Sequence, residues 1–128
     1  MGLSNVSVEQ LEQDQEILPI ATVQNRYSLV DRSSEDVLAA CGRDQIGFIP
    51  WFPLATGDLA RAGGPLDEIA ARHDAAPSQV AIAWLLARSP AMLPIPGTSS
   101  TEHLEENVAA STLELDEEEI EELAALSG

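Results

Sequence analysis

The chain has 128 residues, 45% of them hydrophobic, a single cysteine and a formal net charge of −16, so it suits one domain with a buried core rather than a disordered segment. Such a charge repels polyanions and argues against nucleic acid and anionic membrane surfaces as partners, while Cys41 alone leaves no internal disulfide and no multi-cysteine zinc site. No apolar run approaches the roughly 18 to 20 residues that span a bilayer, and no basic residue precedes Arg26 as a signal peptide requires, which leads to the expectation of one soluble, cytoplasmic domain over residues 1–128.

In chain order, residues 3–5 read as the end of a strand stub. Ser7 and Gln10 form a capping-box signal for a helix to about Glu16, and Pro19 stops it. Residues 20–24 make a short strand with a polar end. Residues 31–34 cap a helix through Val37, Leu38 and Cys41, with Gly42 near its end; there Cys41 reads as core. Residues 46–51 are nearly continuous in apolar side chains, the pattern of a strand covered on both faces. After a loop through Gly57, Gly63 and Gly64, Pro65 opens a short helix to about Arg72, and Pro77 a longer one to Arg88. Residues 92–95 read as a strand, and Ser99 with Glu102 as the capping box of a helix ending near Ala110. Asp116 with Glu119 repeats that signal for a final helix with Ile120, Leu123 and Leu126 on its apolar side. Ten of the 22 acidic residues fall between Glu102 and Glu122, which reads as a solvated helix face. Strands alternating with helices predict an α/β fold with a parallel sheet, and the short strands suit a barrel.

Two stretches concentrate the chemistry: GFIPWFPLATG at 47–57 and PIPGTSSTEHLEEN at 94–107. Each is a buried strand entering a loop of small, hydroxyl and Gly residues, and the second runs directly into a helix. A helix start offers unpaired N–H groups and the positive end of a dipole, which suit a phosphate.

Together with GLSN at 2–5 and VQNRYSLVDR at 23–32, this ordered set resembles the aldo-keto reductases. The resemblance runs from residue 2 to about residue 126. It implies the C-terminal half of a (β/α)8 TIM barrel, about four βα units plus a C-terminal helix, with NADP as cofactor. By that resemblance Ser4 and Asn5 would hydrogen-bond the nicotinamide carboxamide, Gln24 would add a third polar contact, and the Trp51 ring would lie against the nicotinamide face. The backbone at Phe52 and Leu54 would approach the pyrophosphate. Gly97, Thr98, Ser99 and His103 fall where the family holds the adenosine 2′-phosphate, and Glu106 and Asn107 match its adenine contacts. His103 stands in place of the usual arginine clamp, so NAD is possible as well. Simpler readings stay open: Trp51 as packing, Ser99 as a cap only, Glu106 and Asn107 as helix surface, and His73 as surface.

Carbonyl reduction in that family uses a tyrosine general acid tuned by a lysine and supported by an aspartate and a histidine, all from the first four strands. This sequence contains no lysine, and its one tyrosine, Tyr27, stands where the family does not use an acid. The resemblance therefore implies the cofactor-binding half of a reductase, inactive alone, with no catalytic residue in the chain. The alternatives are a stand-alone dinucleotide-binding pseudoenzyme and a half-barrel assembly unit without ligand. Half a closed barrel leaves two open sheet edges and an apolar inner face, here with Ile49, Trp51, Leu93 and Ile95. Either self-association or a complementary N-terminal half-barrel is expected to cover them.

Overall fold

The computed structural model describes residues 1–29, 31–51 and 64–126. Three parallel strands, β1 (Gly2–Ser4), β2 (Thr22–Arg26) and β3 (Gly47–Trp51), lie side by side in that order. Leu3 pairs with Val23 and Val23 with Phe48, so one register line crosses the sheet. Helices α1 (Val8–Ile17) and α2 (Glu35–Asp44) connect the strands; α3 (Pro65–Arg72), α4 (Pro77–Arg88), α5 (Thr101–Ala109) and α6 (Glu117–Ala124) follow.

Local chemistry sets several of these boundaries. Ser7 Oγ accepts the Gln10 N–H at 3.2 Å while Gln10 Oε1 accepts the Ser7 N–H at 2.9 Å, and Asp116 and Glu119 form the same reciprocal pair at the start of α6. The helices α3 and α4 begin at Pro65 and Pro77, where a missing N–H costs nothing.

Other boundaries differ from the sequence expectation, each for a physical reason. Strand β2 begins at Thr22 and runs on through Gln24, Asn25 and Arg26, because their partners Ile49, Pro50 and Trp51 supply the ladder. The strand expected at 92–95 is a single parallel bridge from Met92 to Phe48. Phe48 donates to the Ala91 carbonyl and Leu93 donates to the Phe48 carbonyl, both at 2.8 Å. The next rung needs an N–H from residue 50, which is proline, so the ladder stops. Ser100, not Ser99, caps α5: its Oγ accepts the His103 N–H at 3.4 Å. Gly42 lies inside α2, and Gln45 takes the left-handed C-cap conformation at φ 57°.

Helices cover one face of the sheet. Val23 and Phe48 are fully enclosed with Leu11, Cys41, Trp84 and Leu123. On β3 the side chains alternate: Phe48 and Pro50 are buried, while Gly47, Ile49 and Trp51 on the other face are only half-buried. The expected coverage of both faces is therefore corrected to one. That open face is also mixed rather than apolar, since Thr22, Gln24 and Arg26 share it.

Two further side chains hold elements of the fold together. His73 is not free surface: its Nε2 lies 3.0 and 2.8 Å from the two carboxylate oxygens of Glu119, which is nearly buried, so it docks α6 on α3. Tyr27 is fully buried, edge-on to Phe48 and stacked on Trp84, and donates to the Glu35 carboxylate, which also accepts from Arg88.

Candidate functional site

The predicted site residues fall into two groups, the first toward the carboxyl side of the sheet, where Ser4 and Trp51 end their strands and Gln24, expected to end β2, lies at its middle. Ser4 and Gln24 are direct partners across β1 and β2, and Gln24 pairs onward with Ile49. Asn5 follows in a left-handed conformation at φ 57°, one that a short amide side chain tolerates better than most. Its N–H donates to the Gln24 carbonyl at 2.9 Å, and its Oδ1 accepts the Trp51 indole N–H at 2.9 Å. The indole ring, half-buried, is thus held at a fixed pitch on the open face.

Two residues missed by sequence reasoning complete this corner. Asn25, on the helix side, binds both backbone groups of Val6, accepting from its N–H at 3.0 Å and donating to its carbonyl at 2.8 Å. That clamp anchors the turn carrying Asn5. The Arg26 guanidinium lies 5.6 Å from the Trp51 ring centroid and pairs with Asp31 at 3.0 Å. A hydrogen bond from the Ser33 hydroxyl, then one from its backbone, holds the Asp31 carboxyl below its ordinary pKa, with Arg26 adding to the effect. The alternation of β2 was the available signal for Asn25 and Arg26, but it emerges only once the strand is seen to extend to residue 26.

The second group surrounds a recess of about 200 Å³ lined by Gly97, Thr98, His103, Glu106 and Asn107, with Ser78 contributed by the start of α4. A Cβ added at Gly97 would meet no atom of the described residues within 4 Å, so their packing does not require the glycine. Thr98 Oγ1 accepts the Ser100 N–H at 3.1 Å, preparing the start of α5. Ser99 is exposed and outside the recess lining, so it is not brought together with the others. Phe52 and Leu54 lie outside the described residues.

The recess offers hydroxyl and backbone donors beside one imidazole, together with a carboxylate and an amide on half-buried Glu106 and Asn107. This set fits a sugar–phosphate edge and a base with exocyclic donors. The strand-end corner fits a flat ring bearing a carboxamide, with amides for its polar end and an indole for its face. Both groups of residues therefore suit the halves of a dinucleotide.

Proton chemistry is a different matter. The Tyr27 hydroxyl is pushed up to about 12 by burial first and then by its hydrogen bond to Glu35, and it faces the helices rather than the open face. Burial, followed by the charge of Asp44, pushes the Cys41 thiol up to about 11, as expected of a core residue rather than a nucleophile. Among the described residues no three His, Cys, Asp or Glu side chains converge on a metal site, and no helix is long and apolar enough to cross a membrane.

A model of the aldo/keto reductase family matches residues 1–127. The chain is 48% identical over 118 residues to an uncharacterized oxidoreductase, C215.11c, of Schizosaccharomyces pombe, covering 92% of this chain and 39% of that protein. It is 43% identical over 127 residues to pyridoxine 4-dehydrogenase of Escherichia coli, covering 99% and 44%. The solved structure of an aldo/keto reductase from Klebsiella pneumoniae in complex with NADP and acetate matches with a TM-score of 0.86 at 28% identity, over 98% of this chain and 47% of that one. The chain thus spans less than half the length of these relatives, and its α/β fold corresponds to part of their barrel. The chain belongs to the aldo/keto reductase family.

Proposed function

We propose that the chain is the C-terminal, dinucleotide-binding half of an aldo/keto reductase barrel and has no carbonyl reductase activity by itself. The observation that carries this reading is the convergence of Ser4, Asn5 and Trp51 at the carboxyl ends of β1 and β3, with Gln24 of the intervening β2 paired beside Ser4, the end where barrels bind ligands. In this reading the carboxamide is held by Ser4, Asn5 and Gln24, and the nicotinamide ring rests on Trp51. The adenosine end lies in the recess of Gly97, Thr98, His103, Glu106 and Asn107, with Ser99 and the backbone at Phe52 and Leu54 alongside.

NADP is the cofactor proposed, with NAD possible because His103 is the one basic side chain among the described residues that line the recess. A bound nicotinamide supplies hydride to a carbonyl carbon. The alkoxide that forms then needs a proton, and the tyrosine–lysine donor pair is missing: the sequence has no lysine, and the Tyr27 hydroxyl is buried under the helices on Glu35, away from the open face. The relatives' names motivate the oxidoreductase class but assign no substrate to this chain.

The open sheet face and the exposed Leu93 and Ile95, each about half accessible at 49% and 50%, call for a cover. A complementary N-terminal half-barrel or a second copy provides one. Exposed Leu104 and Val108 also suit a second reading, a half-barrel that assembles without ligand.

Fluorescence titration with NADP and with NAD tests the proposal, using Trp51→Ala as control against the remaining Trp84. Saturable quenching that disappears in Trp51→Ala is expected; sub-micromolar affinity unaffected by Trp51→Ala would show the site to be elsewhere. Light scattering across protein concentration reports the partner: self-association gives more than the monomer mass of 13.7 kDa. Steady-state assays with NADPH and a panel of aldehydes should show no turnover.

A further inference from the structure

We infer that Gln79 is a positioning residue that ties the α4 side of the nucleotide recess to its α5 side. Its side-chain amide is shared between two helices. Oε1 accepts the Ala76 N–H at 2.8 Å and closes the first turn of α4. Nε2 donates to the Glu106 carbonyl on α5 at 2.9 Å, across 27 residues of sequence. The neighbouring Ser78 and Glu106 both line the recess, so the amide ties the α4 side of the lining to the α5 side.

The packing of α5 makes this contact matter. None of its residues is buried, and Leu104 and Val108 are 53% and 63% exposed. Its apolar contacts are partial, Leu104 and Val108 bordering a groove with Ile82 and Leu86 of α4 and Ala110 buried just beyond its end, so a polar contact adds to what holds the helix in place. The Glu106 carbonyl already accepts the Ala110 N–H that ends the helix. Its second lone pair takes the Gln79 proton, so α5 is gripped at its last turn. Any acceptor at this third position of α4 would complete the cap, but only a side chain that also donates can hold α5.

The inference rests on the dinucleotide reading for its functional meaning, and its test separates the two. Gln79→Glu keeps the cap acceptor and suits the helix N-terminus, yet cannot donate at neutral pH. Gln79→Leu removes both functions. Thermal unfolding, hydrogen exchange over residues 101–110, and NADP titration would be measured for the chain and both variants.

If Gln79 holds α5, Gln79→Glu unfolds at a temperature between those of the parent chain and Gln79→Leu, exchanges faster over residues 101–110, and binds NADP about three- to tenfold more weakly, as expected for one lost hydrogen bond. If Gln79 only caps α4, Gln79→Glu matches the parent in exchange and affinity, Gln79→Leu alone is impaired, and the inference is overturned. Should the parent chain fail to bind NADP, the dinucleotide reading falls. Exchange over residues 101–110 in Gln79→Glu then still decides the grip itself: faster exchange upholds it, unchanged exchange overturns it.

Discussion

Along β3, Phe48 and Pro50 are shut in by helices while Ile49 and Trp51, one residue away, stay half-open. The same holds on β2, where Val23 and Asn25 are buried and Gln24 and Arg26 are not. Because successive side chains of a strand point to opposite faces, one short sheet serves two purposes. Its helix-covered face supplies the burial that stabilises the fold, and it positions the other face without committing those side chains to the core. Asn25 shows the link: buried on the covered face, it fixes the turn that presents Asn5 to the open one.

The largest test of this contrast substitutes neighbours across the sheet. Phe48→Ala should cost about 3 to 5 kcal/mol, since it empties a fully enclosed aromatic site. Ile49→Ala should cost only about 1 to 2 kcal/mol, because its side chain is half in water already. Urea unfolding measures both. Equal losses would break the contrast and would mean that something covers the open face in solution, so the comparison should be repeated over a range of protein concentrations.

The next effect is confined to the covered face and appears at high pH. Cys41 is raised from 9.0 to about 11, and Tyr27 from 10.0 to about 12. Above pH 9 the unfolded chain releases these protons while the folded chain keeps them, so the unfolded state binds fewer protons and stability falls as pH rises. The contribution is whole below pH 9, declines through Cys41 first, and is lost by about pH 12. Each pH unit in the window of one group is worth about 1.4 kcal/mol. Urea midpoints from pH 8 to 11 should therefore decline, and Tyr27→Phe should flatten the curve above pH 10 while leaving the stacking on Trp84 in place. An unchanged slope in Tyr27→Phe would show that its hydroxyl is hydrated in the fold.

How much of this was legible beforehand depended on the range of the interaction. The boundaries at Ser7, Pro65, Pro77 and Asp116 follow from chemistry within four residues, and the sequence carries it. The end of β2 does not: Gln24, Asn25 and Arg26 look like a loop until β3 supplies their partners. That only a single bridge forms at Met92 is explained by Pro50, more than forty residues before it. In the candidate site, Ser4, Asn5, Gln24 and Trp51 were picked out by likeness to a family, and the fold does place them together. Asn25 and Gln79 bond across the chain to Val6 and Glu106, and Ser78 joins the recess of Asn107 from a distant helix, so nothing near them in sequence marks these contacts. Ser99 reads as the cap of α5 because Glu102 stands three residues after it, whereas in the fold Ser100 caps the helix and its own N–H is held by the Thr98 hydroxyl.

The smallest effect concerns the open face and sharpens what its residues are for. Asn5 combines a left-handed backbone with a hydrogen bond to the Trp51 indole, and two substitutions pull these apart. Asn5→Ala keeps neither feature comfortably, since a Cβ without a polar partner disfavours positive φ by roughly 1 to 2 kcal/mol. Asn5→Gly accepts the backbone but removes the indole's partner, and its cost in stability should be within about 0.5 kcal/mol. If the open face is there to present Trp51 to a ring, Asn5→Gly should weaken NADP quenching of its fluorescence while the urea midpoint barely moves. If Trp51 is ordinary packing instead, affinity and stability should fall together in both variants. A face built for binding is the one whose substitutions change the titration and leave the melt alone.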